Sequence, residues 1–278
     1  MRTLIPLAWL LAALGWPWLA CAQLQLLPDT ASQAVFAAGT RTINVTWRNL
    51  GESTISMPIR MQLYQASSST AAPLGGPQEW KSLQVLPRQT VLDQAAVTLP
   101  AVKAKTRWVI QWLDESNQVL GHTDLMVYPT NLLRELKLPA SEAPIGLFDP
   151  QNRLKPLLKS SGLEFEDLEA GSLKQCPGRL VIIAQFDAKA SNPEWLAGSI
   201  AEMAKTGLAV VWIKPPPDLF PQPEPAINTI PLGRGAISVI QARVVFDLRG
   251  NPVSQLNLIR AAELAARPGL LSQSNCQP

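Results

Sequence analysis

A change of hydrophobic period near Pro129 constrains this chain more than any other feature. From Gln23 to about Tyr128, apolar and polar residues alternate. Ile43, Val45 and Trp47 oppose Asn44, Thr46 and Arg48. Ile59, Met61 and Leu63 oppose Arg60, Gln62 and Tyr64, and Trp108, Ile110 and Trp112 oppose Val109, Gln111 and Leu113. A period of two puts one face of a strand in a core and the other in water. Turn signals separate the runs, at Asn49-Leu50-Gly51, from Ser67 to Pro77, and over Asp114–Asn117. Short strands at this spacing, with no window of helical period, predict an antiparallel β-sandwich over residues 23–129.

Residues 130–144 read as a linker with a short helical turn, and from residue 145 to 278 strands and helices alternate. Ile145–Phe148 is a short apolar strand, followed by a helix around Leu154–Lys159 that tolerates Pro156 only in its first turn. Leu163–Leu168 is a second strand. Leu180–Phe186 is a continuous apolar run, as expected of a parallel strand covered on both faces. Asn192 and Pro193 open the next helix and Gly207 closes it, with Trp195, Leu196, Ile200 and Met203 as its apolar stripe. Strands follow at Leu208–Ile213, Ala236–Ile240 and Arg243–Phe246. Asn251-Pro252 then opens a last helix carrying Val253, Leu256, Ile259 and Ala262. This alternation predicts a doubly wound α/β domain. The fold class expected is therefore multi-domain, all-β first and α/β second.

The first residues bear on compartment. Arg2 precedes a largely apolar run from Leu4 to Leu19 that ends in Ala20-Cys21-Ala22, a small-x-small pattern. That is the form of a signal peptide over residues 1–22. Pro17 interrupts the run, which is short for a membrane span, and no later window is long and apolar enough to be one. Export to the periplasm or medium with cleavage after Ala22 is expected. The alternative is a lipoprotein anchored through Cys21, although Trp18 stands where a lipobox usually has Leu. The mature chain would keep two cysteines, Cys176 and Cys276, and an oxidising compartment makes a disulfide between them an expectation. Cys176 precedes the Leu180 strand, and the last helix would return the chain to that edge of the sheet. The tail Pro268–Cys276 is then long enough to reach. Two separate thiols are the other reading.

Several chemistries find no support. Net charge is +3, and the Lys and Arg residues are scattered, so no nucleic-acid partner is expected. The single histidine, His122, lies in the strand-rich half, away from the strand ends of the α/β part where a catalytic base would be wanted. One histidine and two distant cysteines make no metal cluster, and no cofactor is expected. Gly233-Arg234-Gly235 reads as a hairpin turn with no helix start after it. Glu164, Glu166, Asp167 and Glu169 read as charges on an edge strand, which discourage edge-to-edge pairing. Trp47, Trp108 and Trp112 sit on the apolar side of their alternations, leaving Trp80 and Tyr64 as the better exposed aromatics. One constellation remains. In open α/β sheets ligands bind beyond the carboxyl ends of the strands, and here those ends carry Asp149, Gln185, Asp187 and Lys214. They are the binding candidates, against the plainer reading that polar residues mark where buried strands meet water.

The strand HTDLMVYP (His122–Pro129) resembles the closing strand of the Ig-like module in bacterial β-galactosidase and glucuronidase-type glycoside hydrolases. The region after it resembles the class I glutamine-amidotransferase-like, flavodoxin-like accessory domain of those enzymes. GRGAISVIQARVVFDLRGNPVSQLNLIRAAELA (Gly233–Ala265) is similar to that domain's final strand and helix. The resemblance covers most of the chain after residue 22, through apolar patterns and turns. In an active amidotransferase a cysteine would follow the strand at Leu208–Ile213. Here Lys214-Pro215-Pro216-Pro217 stands there, and prolines lack the N–H groups that an oxyanion hole requires. Nor does Ile240–Asp247 hold the histidine of such a site, and no catalytic barrel is expected in 278 residues already occupied by these modules. The resemblance therefore implies an exported, non-catalytic binding or accessory protein of the cell envelope, engaging a glycan or a partner protein. The alternative is a hydrolase or transferase using Asp149, Asp187 and Lys214.

Overall fold

The structure is a computed structural model and describes residues 24–29, 32–169, 176, 178–186, 193–215, 227–241 and 247–267. Eight strands precede Pro129 among them. They are β1 (Leu24–Leu27), β2 (Gln33–Phe36), β3 (Gly39–Asn49), β4 (Ile55–Ala66), β5 (Ala71–Val85), β6 (Thr90–Leu99), β7 (Thr106–Leu113) and β8 (Val119–Tyr128). They form a three-stranded sheet, β1-β3-β6, and a five-stranded sheet, β2-β8-β7-β4-β5. The alternation in β3 and β7 holds, with Ile43, Val45, Trp47, Trp108, Ile110 and Trp112 all buried. In β4 it fails. Only Ile59 is buried, because the register with β5 shifts between Ile59 and Arg60 and again between Met61 and Leu63. Each such irregularity re-aims the side chains that follow it.

A 3₁₀ turn at Leu132–Lys137 leads to β9 (Ile145–Phe148), α1 (Lys155–Ser160), β10 (Phe165–Asp167), β11 (Leu180–Ile183), α2 (Pro193–Thr206), β12 (Ala209–Ile213), β13 (Ile227–Leu232), β14 (Gly235–Ile240) and α3 (Pro252–Ala266). The six strands make one sheet in the order β10-β9-β11-β12-β14-β13. Every pair is parallel except β13 with β14, the hairpin turned by Gly233 and Arg234. Gly233 has φ +61, and a Cβ there would lie 2.6 Å from the carbonyl oxygen of Lys205, so the turn requires glycine. One face of the sheet, through Leu147, Ile182, Val211 and Ile240, packs on Leu158 of α1 and Leu258 and Ala262 of α3. The other, through Val181, Val210, Trp212 and Val239, packs on Leu196, Ile200 and Ala204 of α2. Both faces are covered, which is why these strands read as unbroken apolar runs.

The contacts divide the chain into two compact units, and the sequence passes between them more than once. One is built from the described residues of Met1–Ala31, Thr42–Ala96 and Trp108–Asp124, the other from those of Ser32–Arg41, Val97–Arg107 and Leu125–Pro278. In the first, Trp80 stacks on Trp47 at 6.4 Å and meets the edge of Trp112 at 5.0 Å, while the Trp112 indole N–H donates to Thr123 Oγ1 at 3.0 Å. In the second, Phe36 and Tyr128 join the hydrophobic cluster that holds α3.

The fold class read from the sequence needs correction. An all-β Ig-like sandwich followed by a doubly wound, flavodoxin-like or amidotransferase-like domain is not what forms. The described residues form a mixed α/β structure of three sheets. β2 joins β8 in parallel, as an antiparallel sandwich would not have it, and the six-stranded sheet carries an antiparallel edge. Pairing partners far apart in sequence leave no trace in a local period. The apolar stripe of α2 is corrected too, since Trp195 faces outward at 62% exposure and Ala204 takes the buried place. In α3, Val253 is exposed and Leu256 half-buried, while Leu258, Ile259, Ala261 and Ala262 form the buried face. Its expected cap is present, the Asn251 side chain accepting the N–H of Val253 at 2.9 Å. Asn192 and the strand expected at Arg243–Phe246 lie outside the described residues.

Candidate functional site

The strand order diverges at β9, with β10 on one side and β11 on the other, and a ligand crevice is expected beyond the carboxyl ends at such a point. The structure fills this place with backbone contacts. Asp149, the residue after β9, is fully buried. Its Oδ1 accepts the N–H of Arg153 at 3.0 Å, and its Oδ2 accepts those of Leu154 at 2.6 Å and Lys155 at 2.9 Å. The carboxylate thus closes the unpaired start of α1, where a negative charge also meets the helix dipole favourably. The Asp149 N–H donates to Glu169 Oε1 at 3.1 Å. That same oxygen receives Lys155 Nζ at 2.8 Å, and Lys155 also reaches Asp167 Oδ2 at 2.7 Å. Burial pushes the Lys155 ammonium down, but hydrogen bonds and charge from Asp167 and Glu169 outweigh it and hold the group above its ordinary value. The hydrogen bond from Lys155 in turn holds the Asp167 carboxyl below its ordinary value, against a smaller effect of burial.

The other candidates do not converge on Asp149. Gln185 is half-buried just past β11, and Asp187 lies outside the described residues. Lys214 is exposed after β12, its N–H donating to the Ile240 carbonyl at 2.7 Å. It has φ +47 and is followed by the buried Pro215, a backbone state rare for a side-chain-bearing residue before proline. No hydrogen bond or ion pair joins Asp149, Gln185 and Lys214 among the described residues. Between them runs an apolar row. Phe148 meets Phe186 edge-on at 5.6 Å, and Phe186 stacks on Trp212 at 6.2 Å. His122 is exposed on β8, Tyr64 is half-buried on β4, and no metal-binding cluster occurs among the described residues.

The opposite edge of the sheet holds what the sequence reading missed, a groove of about 950 Å³ lined by Cys176, Arg179, Trp195, Ser199, Met203 and Leu208 among others. The α2 residues on it, Trp195, Gly198, Ser199, Glu202, Met203 and Thr206, recur at three and four, one side of the helix flanking the buried Leu196, Ile200 and Ala204. Polar and small residues at that spacing were the available signal. Cys176 is half-buried, and its sulfur lies so close to β9 that a Cβ on Gly146 would stand 2.6 Å from it. Burial raises the pKa of this thiol and the nearby Glu166 charge adds to that, while backbone hydrogen bonds at Gly178 and Gly146 oppose them. Cys176 is unpaired among the described residues, and Cys276 lies outside them.

No protein-family model matches the chain. No curated protein matches it either. Among solved structures, the alkylpurine DNA glycosylase AlkC of Pseudomonas fluorescens aligns at 10% identity and a TM-score of 0.29, over 38% of this chain and 31% of that one. A β-glucosidase from Listeria innocua aligns at 13% identity and 0.29, over 38% of this chain and 16% of the enzyme. The sporulation control protein Spo0M of Bacillus subtilis aligns at 11% and 0.29, over 43% and 55%. The alignments thus span about a third of the glycosylase and a sixth of the glucosidase. At such scores they carry no argument about fold or function.

Proposed function

We propose that the protein is exported and works without catalysis, as a binding or accessory protein of the cell envelope that engages a glycan or a partner protein. The observation that carries this reading is the state of Asp149. A general acid or base must reach the proton it moves, and this carboxylate is fully buried and turned onto three backbone donors at the start of α1. Lys214 occupies the position where the resemblance would put a nucleophile, and among the described residues it has no bond to Asp149 or Gln185. The leader-like residues 1–22 support export, and no helix among the described residues is long and apolar enough to cross a membrane.

Glycan-array binding and turnover assays on the purified protein test this reading together. Specific glycan retention without glycosidase or glutaminase turnover is the expected outcome. Turnover abolished by Asp187→Asn or Lys214→Met, with the fold intact, would establish the hydrolase or transferase alternative and overturn the non-catalytic reading. Loss of binding alone in those variants would place the ligand at the strand ends. Export is checked separately by fractionation and by N-terminal mass analysis, with a chain beginning at Gln23 expected and an acylated Cys21 as the contrary result.

A further inference from the structure

We propose that the groove between Cys176 and α2 is the docking site of the chain's own last residues, 268–278, and that Cys276 closes a disulfide to Cys176 there. Position argues first. α3 begins beyond the carboxyl end of β14 and packs along the sheet through Leu258 and Ala262. Its 15 residues cover about 22 Å, so it returns to the edge where β11 and β12 begin. That edge is where Arg179 and Leu208 border the groove. From Arg267 to Cys276 the chain advances nine residues, an extended reach of about 30 Å. The groove lies across the sheet on the α2 side, roughly 10 Å per packed layer away. The tail therefore reaches with slack.

Chemistry argues second. The tail reads Pro-Gly-Leu-Leu-Ser-Gln-Ser-Asn-Cys-Gln-Pro, two adjacent leucines followed by small and polar residues. The groove offers Trp195, Met203 and Leu208 for the leucines, and Gly198, Ser199 and Gly207 where a backbone can approach closely. The sulfur is also held in place, against Gly146 of β9 and with its S–H directed to the Gly178 carbonyl at 3.9 Å. The pairing forms one S–S bond. Both thiols lose a proton, and the two electrons reduce an external disulfide to two thiols. Cross-linking in the cell rests on the export proposed above, because cytosolic thiols stay reduced. Docking of the tail does not.

The test equilibrates the purified full chain with oxidised and reduced glutathione in vitro, so failure of export and failure of pairing are separate results. Non-reducing peptide mapping is expected to join the Cys176 peptide to the Cys276 peptide within one monomer, with a loss of two hydrogens. In the reduced protein, alkylation of Cys176 is expected to be at least tenfold faster in a chain ended after Arg267, and several-fold faster in Leu271→Asp, than in the intact chain. Two thiols that stay titratable, a link involving Cys21, or a disulfide-joined dimer would overturn the pairing. Equal alkylation rates in the intact and shortened chains would overturn the docking.

Discussion

At the carboxyl edge of the six-stranded sheet, Asp149 accepts three backbone N–H groups and Lys155 lies between two carboxylates. At the amino edge, Cys176, Gly198 and Ser199 border open space. Polar and small residues occur at both edges, and the difference lies in enclosure, since Asp149 is fully buried among its donors while the α2 side chains line an open groove. The carboxyl edge is where an open α/β sheet is expected to bind, yet here its acid holds a helix start. Position in a fold raises an expectation of function, but the partners of each polar atom decide it.

The largest expected effect breaks or supports that contrast directly. Asp149→Ala removes an acceptor from three backbone donors at a buried helix start, and a loss of about 2–4 kcal/mol follows from the cap and the stranded donors together. Urea unfolding measures it. A variant of unchanged midpoint would show that the carboxylate is not structural and would reopen the carboxyl edge as a site.

At the other edge, Gly146→Ala places a Cβ 2.6 Å from Cys176 Sγ and 2.9 Å from Val181 Cγ2. Overpacking of this kind costs about 1–3 kcal/mol. Measured in reduced protein, the loss is expected to shrink in the Gly146→Ala, Cys176→Ala pair, since one of the two clashes is gone. Strictly additive losses would mean that the sulfur does not sit against β9.

The smallest effect concerns pH. Asp167 has its carboxyl lowered in the folded protein, so its contribution is present above the unfolded value near 3.8 and fades as pH falls through the folded value. Lys155 is raised, so its contribution holds below 10.5 and is lost above it. The Asp167 side chain is 41% exposed, which limits its share to about 1 kcal/mol or less. Unfolding of Asp167→Asn against the parent from neutral to acid pH isolates it, with a difference above pH 3.8 that closes as pH falls, and identical profiles above pH 3.8 would remove Asp167 from the network.

Much of the local structure was legible in the residues. Asn251-Pro252 before an apolar run marked the start of α3, and the Asn251 cap is there. The continuous run at Leu180 gave a strand buried on both faces, and the glycine pair at 233–235 gave the β13–β14 turn. The candidate site was legible only as a place. Asp149 was found at a strand end, but that its carboxylate turns back onto the next helix depends on the turn between β9 and α1. The sequence signal for that, an acid shortly before a helix start, is also the signal for a ligand-facing acid.

What the sequence by itself determined is whatever rests on neighbours within a few residues, namely strand and helix periods, caps and turns, because those interactions are short-ranged along the chain. What only the tertiary structure decided is whatever pairs residues far apart. It set β2 parallel to β8, made the last hairpin antiparallel within a parallel sheet, turned Trp195 outward, and brought Cys176 against Gly146. A strand's period shows which face is buried and says nothing of which strand lies beside it or in which direction. In this chain the mixed fold and the groove on α2 both follow from those long-range pairings.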